Sequence, residues 1–248
     1  MGKVWLVGAG PGAPDLLTLR AARLLEAADI VLHDALVHPD TLALAARARF
    51  VDVGKRYGKV STEQRFINRA LVEAARAHET VVRLKGGDPM LFGRAQEEIE
   101  ALDAAGVEWE VVPGVTAALA AASSLGISLT RRGVARSVAF LTPRVGKDET
   151  ASEWLPAALG ADSVALYMAA GASQAIARAL IEAGKPASTP AVLVESATLP
   201  AEKRHFTTLA SLAAAPLRRA EGPVVMCVGT VFAERANQLT FTQQRHTA

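Results

Sequence analysis

The stretch RLKGGDPMLFGR, residues 83–94, carries the most specific pattern in this chain. It follows the β-branched residues TVV, so it begins at the carboxyl end of a predicted strand, where ligands of open α/β sheets bind. Gly86 and Gly87 remove two consecutive Cβ atoms and let a ligand approach the backbone. Asp88 adds a carboxylate beside that backbone, which suits a ligand with an amine or another cation. A loop with a helix-capping Asp would explain Asp88 but not the pair of glycines.

A second glycine-rich loop, VGAGPGAPD at residues 7–15, follows the first predicted strand. Gly8, Gly10 and Ala13 fit the spacing of a dinucleotide fingerprint, and acidic residues follow about 20 residues downstream. A pyrophosphate cradle needs backbone N–H groups aimed at the anion, but Pro11 has none to give. Taken alone, the loop leaves two alternatives open, a dinucleotide site and a tight turn without a ligand.

Short β-branched runs alternate with helical stretches along the chain, which predicts an α/β fold with largely parallel sheets. The predicted strands are 4–8, 29–34, 49–54, 80–86 and 108–112, then 137–142, 163–168, 191–196 and 224–229, with 203–209 as an additional hairpin strand. The clearest predicted helices are 63–77, 92–106 and 172–184. Pro113–Gly114 is the best point of division, which predicts two domains, 1–114 and 115–248.

Composition indicates a globular protein without a nucleic-acid or membrane partner. Half of the 248 residues are apolar and the net charge is +2, a balance that does not indicate disorder or nucleic-acid binding. The longest uncharged run, Val111–Thr130, contains a proline and two glycines, so we interpret it as a strand end, a turn and a buried helix. The single cysteine, Cys227, is predicted to be buried, and a cytoplasmic location is expected because no intrachain disulfide can form. We predict no metal site and no secretion signal.

An acid and a base follow two neighbouring predicted strands. Asp34 ends the run VLHD, and Lys55 follows the run VDVG. Because the carboxyl ends of parallel strands meet at one edge of a sheet, both side chains are expected near the glycine loops. Such a pair can transfer protons. A solvated Asp and a solvated Lys are the alternative that the residues alone leave open.

Together, these segments resemble the uroporphyrinogen-III C-methyltransferases of the tetrapyrrole methylase superfamily. The resemblance rests on GAGPGAPDLLTL, ADIVLHDALV, VGKRYG, VVRLKGGDPMLFGR and VVPGVTAALAAASSLGISLT in this order, and it is dense over residues 3–140. It implies two α/β domains with the active site in the cleft between them, and a homodimer. It also implies S-adenosylmethionine as the methyl donor and S-adenosylhomocysteine as the product. This cofactor has no phosphate, so the first glycine loop is not expected to be a pyrophosphate cradle.

The same resemblance implies the residues of the site. The family's proposed proton acceptor falls on Asp34, and its proposed proton donor falls on Lys55. The family's cofactor positions fall on Pro11, Gly86, Gly87, Asp88, Thr116, Ala117, Met168 and Ala197. The last two of these rest on looser motifs than the others.

The implied activity is methylation of uroporphyrinogen III, twice, through precorrin-1 to precorrin-2, in sirohaem or cobalamin biosynthesis. The carboxylate-rich substrate has several arginines as expected partners, namely Arg56, Arg83, Arg94, Arg131, Arg132, Arg136 and Arg144. FGRAQEE, LTRR and TPR depart from the family's FGRGGEE, LTHR and TGH, which leaves open a methyltransferase for a later corrin precursor. Two functions of different classes also stay open. One is an NAD-dependent oxidoreductase, which gives KGGDP no role, and the second is a non-catalytic ligand-binding regulator.

Overall fold

The computed structural model describes residues 1–54, 64–145, 153–215 and 220–233. The chain divides into two compact units, Met1–Ala117 and Ala118–Ala248. None of the helices in these described ranges is long and apolar enough to cross a membrane.

The first unit is built on a five-stranded sheet that is parallel throughout. Its strands are β1 (Lys3–Gly8), β2 (Ile30–His33), β3 (Arg49–Asp52), β4 (Thr80–Lys85) and β5 (Trp109–Val112). Its helices are α1 (Leu19–Ala27), α2 (Pro39–Ala43), α3 (Gln64–Ala77) and α4 (Ala95–Ala104). The strand order is β3-β2-β4-β1-β5, so the predicted strands and the parallel arrangement are confirmed for this unit.

Both faces of this sheet are buried, as the nearly continuous apolar strands predict. In β1, Leu6 belongs to the cluster that packs with α3 and α4, whereas its neighbour Val7 belongs to the cluster that packs with α1. The repeat of Ile67 and Leu71 places one face of α3 in the first of these clusters. Leu71 has no exposed surface, so Leu71→Ala would cost about 2–5 kcal/mol of stability.

The second unit contains a mixed five-stranded sheet. Its strands are β6 (Val138–Leu141), β7 (Ser163–Tyr167), β8 (Pro190–Glu195), β9 (Lys203–Thr208) and β10 (Val224–Gly229). Its helices are α5 (Ala117–Leu125), α6 (Trp154–Gly160), α7 (Ser173–Glu182) and α8 (Leu209–Ala214). The strand order is β6-β7-β10-β8-β9.

The predicted parallel arrangement is wrong for this second sheet. Only β6 and β7 run parallel, whereas β10 is antiparallel to both of its neighbours and β8 is antiparallel to β9. The connection 196–202 explains the last pair, because it is too short for the crossover that a parallel pair requires. The hairpin strand predicted at 203–209 is confirmed as β9.

Cys227 lies in β10, the central strand of the second sheet, and has no exposed surface. Burial away from water raises the pKa of its thiol to about 12. The predicted burial of this cysteine is therefore confirmed.

We expect the native protein to resist a thiol-specific disulfide reagent at about pH 8, because the thiolate is the reactive form. The measurement is the absorbance of the released chromophore over time. The control is the same protein in denaturant, where one thiol per chain should react. A native thiol that reacts as fast as a free cysteine would contradict the buried position of Cys227.

Candidate functional site

The loops after β1 and β4 lie side by side, because these strands are neighbours and Gly8 is opposite Lys85. The amide of Gly87 donates to the carbonyl of Gly10 at 2.7 Å, and the amide of Gly10 donates to the carbonyl of Gly87 at 3.2 Å. Both glycines have left-handed backbones, with φ of 72° at Gly10 and 69° at Gly87, which glycine adopts without steric cost. The two glycine loops therefore form one bridged surface.

The Asp88 carboxylate also ties loops together. Its Oδ2 accepts a hydrogen bond from the amide of Gly114 at 2.9 Å, and its Oδ1 accepts one from the amide of Met90 at 2.8 Å. A carboxylate has about four acceptor sites, so lone pairs remain for a ligand. Asp88 thus stabilises the loops after β4 and β5 independently of any cationic ligand.

Among the described residues, one side of the Gly86–Gly87 backbone is open. A Cβ placed on Gly87 would have the Cα of Thr116, at 3.9 Å, as its nearest non-adjacent atom, and one placed on Gly86 would have the Cβ of Leu36, at 3.4 Å. By contrast, a Cβ on Gly114 would collide with the carbonyl oxygen of Gly87. Gly114 is therefore needed for packing, whereas Gly86 and Gly87 leave space that a ligand could fill.

The first glycine loop lacks the geometry of a pyrophosphate cradle. After Gly12 the chain makes a 3₁₀ turn at Pro14–Leu16, and α1 begins only at Leu19. Thr18 caps that helix by accepting a hydrogen bond from the amide of Ala21 at 3.1 Å. The helix N-terminus on which a pyrophosphate would sit does not follow the glycines directly, which argues against the dinucleotide alternative.

Asp34 directly follows β2 and pairs with an arginine of β4. Its Oδ1 accepts a hydrogen bond from Nη2 of Arg83 at 2.6 Å. The Asp34 side chain is 30% exposed, whereas that of Arg83 is 3% exposed. Lys55, the predicted partner of Asp34 in proton transfer, lies outside the described residues.

Arg83 belongs to a buried group of charges. Glu98, on α4, has no exposed surface, and its carboxylate accepts hydrogen bonds from Nε of Arg83 and Nζ of Lys85, both at 2.9 Å. Burial and the nearby Arg83 charge lower the pKa of Lys85, although Glu98 opposes this shift. Burial also opposes the charge of Arg83, but Asp34 and Glu98 raise its pKa overall. Removing one partner of a buried ion pair typically costs about 3–5 kcal/mol.

This burial corrects one expectation about substrate binding. Arg83 was expected to be available to a substrate carboxylate, but its guanidinium is already paired with Asp34 and Glu98. Arg94 differs, because its side chain is 51% exposed and forms a two-pronged ion pair with Glu97, with N–O distances of 2.6 and 2.7 Å. Arg94 is thus accessible from solvent, whereas Arg83 is not.

In the second unit, two predicted cofactor residues follow the ends of β7 and β8. Both strands are antiparallel to β10, so their carboxyl ends lie at the same edge of the sheet. Met168, after β7, is 46% exposed and has a φ of 56°, and Ala197, after β8, lies between Ser196 and Thr198 with φ of 51° and 72°. Such backbone strain in non-glycine residues costs about 1–3 kcal/mol each and clusters at ligand sites.

Two residues that shape the site, Glu98 and Gly54, were not predicted from the sequence. The helical spacing could have indicated that Glu98 is buried, because it shares a helical face with Ala95 and Leu102, which are apolar and buried. A Cβ on Gly54 would collide with the backbone nitrogen of Ala35, the residue after Asp34. Gly54 therefore fixes the loop beside Asp34, and nothing local in its sequence indicated that contact.

A sequence profile of the tetrapyrrole (corrin/porphyrin) methylases matches residues 3–213. The chain belongs to this family. Over 238 residues this methylase is 42% identical to uroporphyrinogen-III C-methyltransferase of Pseudomonas aeruginosa, covering 96% of the chain and 97% of that protein. It is 44% identical over 236 residues to the enzyme of the same name from Paracoccus denitrificans, covering 94% of the chain and 82% of that protein.

A solved structure also resembles this methylase closely. It is uroporphyrin-III C-methyl transferase from Thermus thermophilus, complexed with S-adenyl homocysteine. The TM-score is 0.83 at 41% identity, and the match covers 94% of this chain and 99% of the Thermus chain. The α/β fold predicted from the sequence is confirmed.

Proposed function

We infer that this chain is an S-adenosylmethionine-dependent C-methyltransferase that methylates uroporphyrinogen III. The observation that carries this inference is the 42% identity over 96% of the chain to an enzyme with that name. The reaction is two successive methylations that lead through precorrin-1 to precorrin-2, in sirohaem or cobalamin biosynthesis. An oxidoreductase would leave the open Gly86–Gly87 backbone unexplained.

We propose that the cofactor is held by the residues carried over from the family, Pro11, Gly86, Gly87, Asp88, Thr116, Ala117, Met168 and Ala197. The open side of Gly86 and Gly87 supports this assignment in the first unit, since a ligand could lie directly on the backbone there. The left-handed backbones at Met168 and beside Ala197 support it in the second unit. When bound, S-adenosylmethionine supplies a methyl group attached to a positively charged sulfur.

The edge that carries the glycine loops offers apolar surface for the pyrrole rings of the substrate. Leu36, Met90 and Phe92 are large apolar side chains that are 65%, 58% and 40% exposed. Exposed apolar groups gathered in this way mark ligand or partner surfaces. They would exclude water from the macrocycle and align its reacting carbon, which is the main help that methyl transfer needs.

We propose that Asp34 is the base of the reaction. Methyl transfer to a pyrrole carbon adds one positive charge to the macrocycle, and loss of one proton removes that charge. The half-buried carboxylate of Asp34 lies beside the same glycine loops and can accept that proton. Lys55 is proposed as the corresponding donor because it matches the family motif.

The reaction is tested by incubating the protein with uroporphyrinogen III and S-adenosylmethionine and measuring the product mass. The expected result is a tetrapyrrole that gains first one and then a second methyl group. Unchanged uroporphyrinogen III, with methylation of a later corrin precursor instead, would overturn the substrate assignment in favour of the alternative that FGRAQEE, LTRR and TPR leave open.

We expect S-adenosylhomocysteine to raise the melting temperature, and NAD and NADP to leave it unchanged. A ligand that binds only the folded state stabilises it by about 2.7 kcal/mol at a hundredfold excess over Kd. Thermal unfolding with each compound in turn is the measurement. A shift with NAD and none with S-adenosylhomocysteine would contradict the proposed cofactor.

We further propose that the protein works as a homodimer in the cytoplasm. The resemblance to the family supports the dimer, and a single buried thiol suits a reducing compartment. Light scattering coupled to gel filtration measures the oligomeric state. A monomeric mass at working concentration would contradict the dimer.

A further inference from the structure

We propose that Arg83 is a positioning residue that holds the Asp34 carboxylate by Oδ1, so that the other oxygen, Oδ2, receives the proton released after methyl transfer. The inference rests on the proposed role of Asp34 as the base and adds the group that orients it. It assigns Arg83 to the reaction without any contact between Arg83 and the substrate.

The Arg83 guanidinium is fixed through all three of its nitrogen atoms. Nη2 donates to Asp34 at 2.6 Å, Nε donates to Glu98 at 2.9 Å, and Nη1 donates to the carbonyl of Leu84 at 3.2 Å. A planar guanidinium with partners on every side cannot rotate without breaking hydrogen bonds. The position of the Asp34 Oδ1 atom is therefore set by β4 and α4.

Glu98, which anchors Arg83, is itself immobilised. Its two carboxylate oxygens accept hydrogen bonds from Lys85 at 2.9 Å and from Gln64 at 3.3 Å, in addition to the bond from Arg83. Over the whole residue, Arg83 and Lys85 are each 2% exposed, and Glu98 is fully buried. These contacts form a continuous chain from the core of the first unit to the carboxylate at its edge.

The other end of this chain of contacts is the Asp34 carboxylate, which has one free oxygen among the described residues. The backbone amide of Asp34 donates to the carbonyl of Leu84 at 3.2 Å, so the residue is tied to β4 twice. Within the described ranges, Arg83 supplies the hydrogen bond to the Asp34 carboxylate, and Oδ2 accepts none. One oxygen is thus held while the second is available at a side chain that is 30% exposed.

The proton balance fits this division of roles. Methyl transfer breaks the bond between the methyl carbon and sulfur, whose electron pair stays on sulfur, and forms a carbon–carbon bond to the macrocycle. Asp34 then takes one proton from the positively charged macrocycle and becomes a neutral acid. Arg83 stays protonated throughout, because an arginine side chain does not lose its proton in a protein.

The test is a double-mutant cycle of Arg83→Lys and Asp34→Asn, measured by single-turnover methylation of uroporphyrinogen III. Lysine keeps the positive charge, but its single ammonium group cannot replace the planar guanidinium that bonds Asp34, Glu98 and the carbonyl of Leu84 together. We expect Arg83→Lys to slow the wild-type enzyme by about 10²-fold, the scale of a small misplacement of a catalytic group. KM for uroporphyrinogen III and affinity for S-adenosylhomocysteine should not change. In the Asp34→Asn background, Arg83→Lys should cause little further loss, since groups that share one step are not additive.

Two further variants keep the result interpretable. Arg20→Lys changes an exposed arginine, 64% exposed, that pairs with Glu110, and it should leave every measured quantity unchanged. Glu98→Gln keeps the size of the anchor while removing its charge, and it should repeat the pattern of Arg83→Lys. Calorimetry with S-adenosylhomocysteine checks that each variant is folded.

The outcomes separate this inference from the proposed function. A normal single-turnover rate in Asp34→Asn would remove Asp34 as the base. If Asp34→Asn lowers the single-turnover rate but Arg83→Lys does not, the role of Arg83 alone is overturned. The same conclusion follows if the rate losses of the two variants multiply in the double variant while KM for uroporphyrinogen III rises. If Arg83→Lys and Glu98→Gln both fail to bind S-adenosylhomocysteine, the buried charges serve folding, and the positioning role is also overturned.

Discussion

Asparagine in place of Asp34 is expected to slow single-turnover methylation by about 10²–10⁴-fold, the usual contribution of a general base. The amide keeps the size of the side chain and an oxygen that can accept the hydrogen bond from Arg83, but it cannot take a proton. Affinity for S-adenosylhomocysteine should stay nearly unchanged. Rapid mixing with detection of the product mass is the measurement, because product release limits kcat in many enzymes.

The control for this variant is Asp40→Asn, which changes an acid of the same unit whose side chain is 75% exposed. It should leave the rate unchanged. If Asp34→Asn instead raises KM and keeps a nearly normal kcat, Asp34 contributes uniform binding of the substrate and not proton transfer.

A methyl group at Gly86 is expected to weaken the binding of S-adenosylhomocysteine by about 5–150-fold, since overfilling a packed site costs about 1–3 kcal/mol. The fold should survive, because the new methyl would have Leu36 at 3.4 Å as its nearest non-adjacent neighbour, an ordinary contact. Calorimetry gives the affinity and thermal unfolding gives the stability. Gly86→Ala is therefore a sharper probe than Gly87→Val, which would add backbone strain at a φ of 69°.

Gly87→Ala and Gly106→Ala separate strain from occlusion. Both residues have left-handed backbones, with φ of 69° and 64°, but an added Cβ on Gly106 would have no atom of the described residues within 4 Å. The two variants should lose similar stability, and only Gly87→Ala should lose affinity for S-adenosylhomocysteine. Normal affinity in both Gly86→Ala and Gly87→Ala would mean that the cofactor lies elsewhere.

The sequence was sufficient to predict the strands but not the direction of those in the second unit. β-branched runs such as VVMCVG indicate that a segment is an extended, buried strand. The same pattern occurs in parallel and antiparallel sheets, so it does not predict strand direction. The antiparallel position of β10 depends on pairing with Tyr167 on one side and Glu195 on the other. Both partners are distant in sequence, and no local pattern encodes that choice.

The parts of the site that depend on glycine backbone were predictable from the sequence. The parts that depend on buried charged side chains were not. The paired glycines of KGGDP indicated an open backbone, and the structure contains one. Arg83 was expected to be accessible, because charged side chains are rarely buried unless they are paired. Its pairing with Glu98 joins a strand to a helix, and only the packed fold brings the two together.

The order of strands in the second sheet has a consequence for how the protein is made. β10 is the last strand to be synthesised among the described residues, yet it lies between β7 and β8. Until residues 224–229 leave the ribosome, the earlier strands can form only two separate pairs with unpaired inner edges, which are templates for aggregation. The first sheet is complete at Val112, so it can fold while translation continues. A nascent chain that stalls before Val224 would contain every proposed cofactor residue and still expose the unpaired inner edges of β7 and β8.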